Sequence, residues 1–429
     1  MTVPTRTQSA LILNGTPGTT PPAGSLPLEV SSSHPIPGFP SDHHVLVRVL
    51  AVGLNPSDHK MAVHFPFPGT AGGCDFCGIV DQVAPGTAVM PHPPGTRVLG
   101  GVFPYRPNST GGSFAEYVVV DANQLVRVPD HWSDLEAAAL GGIGFGTVGM
   151  AMSDPGALAL TGLPSKPSLK HEPVLVYGGG TATGTLACQL LKESGYDPIA
   201  VASNASAAMA KSYGAVGTVS YTSANPLEEI RAAADKRVIR HVLDCITDQE
   251  SASICMGAIG RAGGRYACLE KCPESYRTRR TVHISEVMGF EPMGVDVDLG
   301  TDTTYTRHVN EEAYKIGCDW CHELQTLVDT GRVRPHPVKE IPGRWDGILE
   351  GLGRLMKGQV RVETSKHLTL MSDASGKEEE LPFRTGKHVP HPSRWKSLAP
   401  SGSYACPRIR IQELRNGLSL TFRVRGLLK

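Results

Sequence analysis

The densest run of chemically suggestive residues in this 429-residue chain is PVLVYGGGTATGTLACQLLKESGY, starting at Pro173. An apolar strand runs directly into a Gly-rich turn and then into an amphipathic helix. Gly178, Gly179 and Gly180 let the main chain pass close to a pyrophosphate. That anion would rest at the N-terminus of the helix containing Ala182, Thr183, Gly184 and Thr185, where free amides and the helix dipole favour negative charge. A Gly-rich string alone specifies little, but strand, turn, helix and second strand in this order point to dinucleotide binding. The second strand, PIAVAS, ends without the Asp or Glu that grips the ribose diol of NAD. Ser203, Asn204, Ala205 and Ser206 stand there instead, with Lys211 further on. Hydroxyls and a cation without a repelling carboxylate favour a 2′-phosphate, and hence NADPH. Ser203 and Ser206 also suit the cap of the next helix, and both roles are compatible.

Two cysteine pairs have ligand-like spacing: Cys74 with Cys77, and Cys318 with Cys321. A structural zinc site needs four ligands, and no second paired cluster lies at finger-like spacing, so both pairs read as structural and no metal is expected. The ten cysteines are irregularly spaced in a chain with no export signal, which points to reduced thiols in a cytoplasm and no disulfide frame.

These residues need elements to position them. From Val45, HVLVRVLAVGLN and the later runs FCGIVDQVA, TRVLGGV and FAEYVVVDANQLVRVP alternate like strands with Gly and Pro between them, giving a strand-rich, barrel-like first third. Residues 14 to 44 read as turns around one or two short edge strands. After Trp132, Ser133 with Glu136 three positions on has the spacing of a capping box, so a helix begins there. From Glu172 to about Cys268 short apolar strands alternate with helical stretches, which means βαβ units and a doubly wound parallel sheet. EEAYKIGCDWCHELQTLVDTGRV reads as a later helix that stops near Gly331.

Taken together, GLNPSDHK at 53–60, the helix entry AAALGGIGFGT and the central nucleotide unit resemble the medium-chain dehydrogenase/reductase superfamily. NPSDHKM, VYGGGTATGT, LDCI and AIGRAGGRY narrow the resemblance to its zinc-free branch. Within that branch the match is to the trans-acting enoyl reductases of fungal polyketide and polyketide–peptide pathways. The resemblance covers about residues 8 to 360. It implies a GroES-like β-barrel-type catalytic domain over 1–150, a Rossmann cofactor domain over 151–320 and a return to the catalytic domain over 321–364. Zinc-using members place a cysteine at Asn55 or Pro56, and Gly-His-Glu at Gly73, Cys74 and Asp75.

The same resemblance implies hydride transfer from NADPH to the β-carbon of an enoyl thioester. Lys60 and Thr147 become the catalytic candidates, although an isolated Lys is more often a solvated surface charge and a Thr at a helix entry a cap. It puts Ser57, Asp58, His59 and Lys60 at the cofactor, with Ala182 to Thr185, Ser203 to Ser206, Tyr221, Leu269 and Glu270; a core role for Tyr221 is the competing reading. The acyl channel would pass Gly149, Met150, Ala151 and Met152, and Met293, Gly294, Val295, Asp296 and Val297. The implied partner is an iterative polyketide synthase or polyketide–peptide hybrid, met through its acyl carrier domain, with the reductase itself a monomer.

Composition is compatible with that partner. Lys plus Arg and Asp plus Glu are both 41, so no global field would draw the chain to nucleic acid or a membrane surface. No uninterrupted run of about 18 apolar residues appears. From Ser365 onward 12 Lys or Arg stand against 5 Asp or Glu with no evident periodicity, and residues 365–429 read as a disordered basic tail, either a docking extension or, the favoured reading, an unspliced or frame-shifted gene end, in which case the last barrel strand and one cofactor contact are missing.

Overall fold

The computed structural model describes residues 6–15, 19, 21–22, 24–86, 91–106, 111–300, 303–360 and 420–423. Two strands, β1 (Thr7–Leu13) and β2 (Leu28–Pro35), pair antiparallel as a ribbon. The long strand β3 (His44–Leu54) then forms the spine of the barrel sheet, because its β-branched and aliphatic residues are buried along almost its whole length. At Asn55 the chain turns into α1 (Pro56–His64), where Pro56 fits the first helical turn and Asp58 accepts the Asn55 amide at 2.7 Å. Strands β4 (Asp75–Val83), β5 (Arg97–Gly101), β6 (Tyr117–Asp121) and β7 (Val126–Arg127) complete this antiparallel group, with β4 and β6 both paired to β3. Their inward side chains, among them Val47, Phe76, Val98 and Val118, form the barrel core together with Phe114 from the turn before β6.

Helix α2 (Asp134–Leu140) starts at the expected capping box, with the Glu136 amide donating to Ser133 Oγ and Glu136 accepting the Ser133 amide. Gly141, at φ +58°, and Gly142 break the helix before α3 (Ile143–Ser153). Asp134–Ser153 together are apolar and long enough to cross a membrane, but 72% of that stretch is buried inside the fold, as a core element would be.

Beyond it, βαβ units follow in the expected order. They are β8 (Pro173–Tyr177), α4 (Ala182–Glu193), β9 (Asp197–Ala202), α5 (Ala207–Ser212), β10 (Gly217–Ser220), α6 (Pro226–Ala233), β11 (His241–Asp244), α7 (Gln249–Ala258), β12 (Gly264–Cys268) and β13 (Val282–Glu286). The six strands are all parallel, in the order β10-β9-β8-β11-β12-β13. This is the doubly wound arrangement of a dinucleotide-binding sheet, with its switch point between β8 and β11.

Helix α8 (Glu311–Asp329) packs its buried face, including Trp320 and Leu324, into the core shared with α3 and α4, and ends before Gly331 in the left-handed conformation. It spans the boundary expected at 320, just as α3 spans the one expected at 150. After it come β14 (Lys339–Glu340), α9 (Trp345–Met356) and β15 (Leu420–Arg423). Strand β15 lies between β14 and β3, with Leu420 opposite Leu54 and Arg423 opposite Ala51. The reading of 365–429 as wholly unstructured, with no final barrel strand, is therefore corrected at these four residues; 365–419 and 424–429 lie outside the described residues. In GLSLTFRVRG apolar and polar residues alternate with strand periodicity, and that signal was there to be read.

Candidate active site

All six parallel strands end at one edge, so the turns after β8, β9, β10, β11 and β12 gather Gly178, Ser203, Tyr221, Cys245 and Leu269 along one crevice. After β8 the glycines are obligatory. Gly178 has φ +79°, a Cβ on Gly179 would lie 2.5 Å from Ala200 Cβ, and one on Gly180 would lie 2.5 Å from Ser206 Cβ. A Cβ on Gly184 would lie 2.2 Å from the Gly178 carbonyl oxygen, so the helix can approach the strand only as glycine. Thr181 caps α4: its Oγ1 donates to Gly178 O at 2.8 Å and accepts the Gly184 amide at 3.0 Å. Among the described residues nothing accepts the amides of Gly180, Ala182 and Thr183, which are half-exposed at the helix N-terminus. Three free amides at a dipole's positive end, lined by residues with no room for side chains, fit the pyrophosphate of a nicotinamide dinucleotide.

One residue singled out in this turn has another role. Thr185 is buried, and its Oγ1 donates to Ala182 O at 3.0 Å and meets His336 Nδ1 at 2.9 Å, so its hydroxyl faces away from the crevice. Burial pushes the His336 ring down to about 4, which keeps it neutral. Thr181, one residue before the helix, is a further functional position, and its N-cap signature is the sequence signal for it.

At the end of β9, Ser203 Oγ accepts the Ser206 amide at 3.2 Å and donates to Ser206 Oγ at 3.0 Å, which folds residues 203–206 into a tight turn. Ser206 is buried in that turn, whereas Asn204, Ala205 and Lys211 are exposed. Tyr221 is half-buried against the core on the α6 and α7 side of the sheet.

A buried knot at the end of β11 escaped the sequence reading. Asp244 accepts the amides of Ile246 at 2.9 Å and Thr247 at 3.0 Å, the Ser251 hydroxyl at 2.6 Å and the Tyr266 hydroxyl at 2.8 Å. Burial raises its carboxyl above the ordinary range despite these donors. Thr247 is held at φ +62°, and its Oγ1 accepts the Leu269 amide at 3.2 Å. The knot thus ties the turn after β11 to the turn after β12, which carries Leu269 and Glu270.

The barrel reaches this edge through α1. Lys60 Nζ forms an ion pair with Glu270 Oε1, joining two of the singled-out residues across 210 positions of sequence. Their side chains remain 44% and 42% exposed, so both can meet a ligand. Beside Lys60, His59 is driven down to about 4, first by burial and then by the Lys60 charge, and is neutral. Ser57 Oγ lies 3.8 Å from Cys74 Sγ. Asp58 requires a correction. Its side chain is fully buried, it caps α1, and burial pushes it up to about 7, so it faces the barrel interior and cannot contact a cofactor.

The positions that carry zinc ligands in other branches hold a hydrogen-bonded carboxylate instead. Asp75 accepts Asn55 Nδ2 at 2.8 Å and the amides of Gly142 and Ile143 at 2.7 and 2.8 Å. It thereby caps α3 at the barrel wall. Cys74 and Cys77 are buried, and burial raises both thiols well above their usual range. No group of three or more His, Cys, Asp or Glu suited to a metal occurs among the described residues.

On α3, Thr147 is buried and packs so tightly against residue 289 that a Cβ on Gly289 would lie 2.2 Å from its Oγ1. Its neighbours Phe145 and Gly146 line a small half-open cavity with Gly142, Gly289, Pro292 and Met293. The next turn of α3 is core. Met150, Ala151 and Met152 are buried, and a Cβ on Gly149 would lie 2.7 Å from the Trp320 ring. Residues 149–152 therefore hold α3 against α8 and do not line a channel. In the second expected channel segment, Val297 is fully buried and bridges Arg307, and Asp296 accepts the Val309 amide at 2.8 Å. Gly294 sits at φ +66° against Tyr314, Val295 packs on the barrel core, and Met293 alone of the five faces the cavity.

Known proteins share this arrangement. Residues 41–130 match the alcohol dehydrogenase GroES-like domain, and residues 182–270 match the zinc-binding dehydrogenase domain. Trans-enoyl reductase calK of Penicillium decumbens is 54% identical over 79% of this chain and 93% of its own length. The chain belongs to the trans-enoyl reductases. Trans-enoyl reductase sthE of Phaeosphaeria nodorum is 50% identical over 78% of this chain and 92% of its own. Among solved structures, CurK enoyl reductase superposes with a TM-score of 0.58 over 82% of this chain and 96% of its own, at 19% identity. A quinone oxidoreductase from Pseudomonas syringae gives 0.59 over 81% and 96%, at 20% identity. Those two likenesses speak for the fold alone.

Proposed function

We propose that this trans-enoyl reductase reduces the α,β-double bond of enoyl thioesters held on the acyl carrier domain of an iterative polyketide synthase or polyketide–peptide hybrid, with NADPH as reductant. The observation that carries this reading is the meeting of Lys60, from the barrel, with Glu270 at the crevice of the nucleotide sheet. When bound, the nicotinamide supplies the hydride. Gly180, Ala182 and Thr183 hold the pyrophosphate with free amides. The turn at Ser203, Asn204 and Ala205, with the exposed Lys211, favours a 2′-phosphate because no carboxylate stands there to repel it. Lys60, drawn toward the crevice by Glu270, stabilises the negative charge that develops on the thioester oxygen, and Thr147 shapes the wall beside it. The enzyme acts as a monomer in the cytoplasm, where carrier-bound chains can reach an open crevice.

The test is NADPH oxidation by the purified chain with an α,β-unsaturated acyl pantetheine thioester, run beside NADH and a small quinone. Thioester-dependent loss of NADPH is expected; quinone turnover alone would move the activity to small enones, and NADPH binding without any turnover would leave a scaffold. Ser203→Asp should weaken NADPH at least about tenfold relative to NADH. Equal affinities would refute the 2′-phosphate assignment.

A further inference from the structure

The opposite edge of the parallel sheet, where its strands begin, has a different character. Residues 166–172, 194–197, 235–241, 261–265 and 279–282, which lead into β8, β9, β11, β12 and β13, carry nine Lys and Arg against Glu172, Asp197 and Asp235, in a chain whose charges balance overall. Lys166, Lys170, Lys236, Arg240, Arg261 and Arg280 are exposed, and no carboxylate pairs with any of them among the described residues. Arg265 and Arg279 spend their hydrogen bonds on main-chain carbonyls, Pro155 and Ala157 for the first and Met256, Ile259 and Gly260 for the second, so their charge is not neutralised. Arg237 alone meets a carboxylate, Asp197, at 2.9 Å, and it also donates to His171 O, which ties the turn before β11 to the turn before β8.

Three of the five large hydrophobic residues exposed among those described lie on this same edge: Leu169 at 92%, Val238 at 57% and Val216 at 44%. The turn bearing Lys236 and Val238 is rigid. Asp235 and Lys236 are held at φ +52° and +59° by amide bonds to Ala232 O and Arg231 O, each at 2.9 Å. Leu169 and Val238, set among unpaired cations on fixed turns, give this edge the make-up of a protein interface, in which apolar contact joins charge complementarity. A nucleic-acid groove would not need the aliphatics, and a membrane-surface element would place them on one amphipathic helix.

We propose that this edge is a docking surface for an acidic protein face that also carries apolar residues. Its position leaves the cofactor crevice, at the other end of the strands, free while the partner is bound. Equating that partner with the synthase rests on the function proposed above; the surface itself does not.

The probes are fluorescein-labelled Glu/Leu copolymer, poly-glutamate, duplex DNA, and vesicles of phosphatidylcholine with phosphatidylserine, each titrated with the full chain at low and at moderate salt. The copolymer should bind tightest and weaken about tenfold or more between 50 and 300 mM salt. The triple variant Lys236→Glu, Arg240→Glu, Arg261→Glu should lose about tenfold or more of that affinity while keeping its melting temperature and NADPH affinity. Leu169→Ser with Val238→Ser should weaken the copolymer but not poly-glutamate. Tighter binding of DNA or vesicles, or copolymer binding unchanged in the triple variant, overturns the proposal. Thioester turnover by the wild type reports on the enoyl reductase reading separately: its absence alongside charge-dependent copolymer binding would remove that reading and leave the surface standing.

Discussion

Lys60 sits where a cation is most useful and least secure, in a half-exposed pair with Glu270 that solvent screens to little stabilising value. If its charge acts on the developing enolate, Lys60→Ala should lower kcat about 10²- to 10³-fold while NADPH affinity changes less than about fivefold. Equal losses in a stopped-flow and binding comparison would make it a binding residue only. Asp58 gives a pH signature. Its folded value of about 7 lies above the unfolded 3.8, so the folded chain holds the extra proton between them. The stability this contributes is present in full below about pH 4 and is lost as pH rises through 7, by at most about 1.4 kcal/mol per unit. Asp58→Asn should flatten the fall in urea midpoint between pH 5 and 7.5; an unaltered slope would assign that fall to other groups. At this scale the glycines, Ser203, Lys60 and Glu270 were legible because turn and charge chemistry is local. The inward turn of Asp58 and the Asp244 knot were not, because burial depends on what the rest of the chain brings against a residue.

Elements were read well wherever periodicity was long. The capping box before α2, the helices ending near Lys192 and Tyr213, and the Gly331 stop after α8 all follow from short-range rules. Helix α3 misled because it is apolar on every side. A Met- and Gly-rich helix suits both a pliable channel and a packed core, and only the Trp320 ring of α8 against Gly149 decides for the core. Met152→Ala should therefore cost about 2–5 kcal/mol of stability by leaving a cavity, with KM for a pantetheine thioester unchanged. A raised KM at unchanged melting temperature would restore the channel.

Over the whole molecule, the parallel sheet and the barrel were expected in their observed sequence order, while the barrel's last strand was placed in a tail judged to lack pattern. Strand β15 is paired on both sides, to β14 and β3, so a proline inside it breaks a ladder it cannot restore. Thr421→Pro should lower the melting temperature by about 2–6 °C and reduce turnover, because β3 ends at Leu54, one residue before the turn that launches α1 and Lys60. A variant melting with the wild type would show the barrel indifferent to that strand. The placement of β15 also matters while the chain is being made. Every other described strand of the barrel sheet has been synthesised by Glu340, and the described nucleotide sheet by Glu286. The barrel must wait for residues 420–423 with the β3 edge open. A nascent enzyme therefore acquires its nucleotide-binding half first and carries an unpaired strand edge until residues 420–423 emerge, the interval in which chaperones matter most to it.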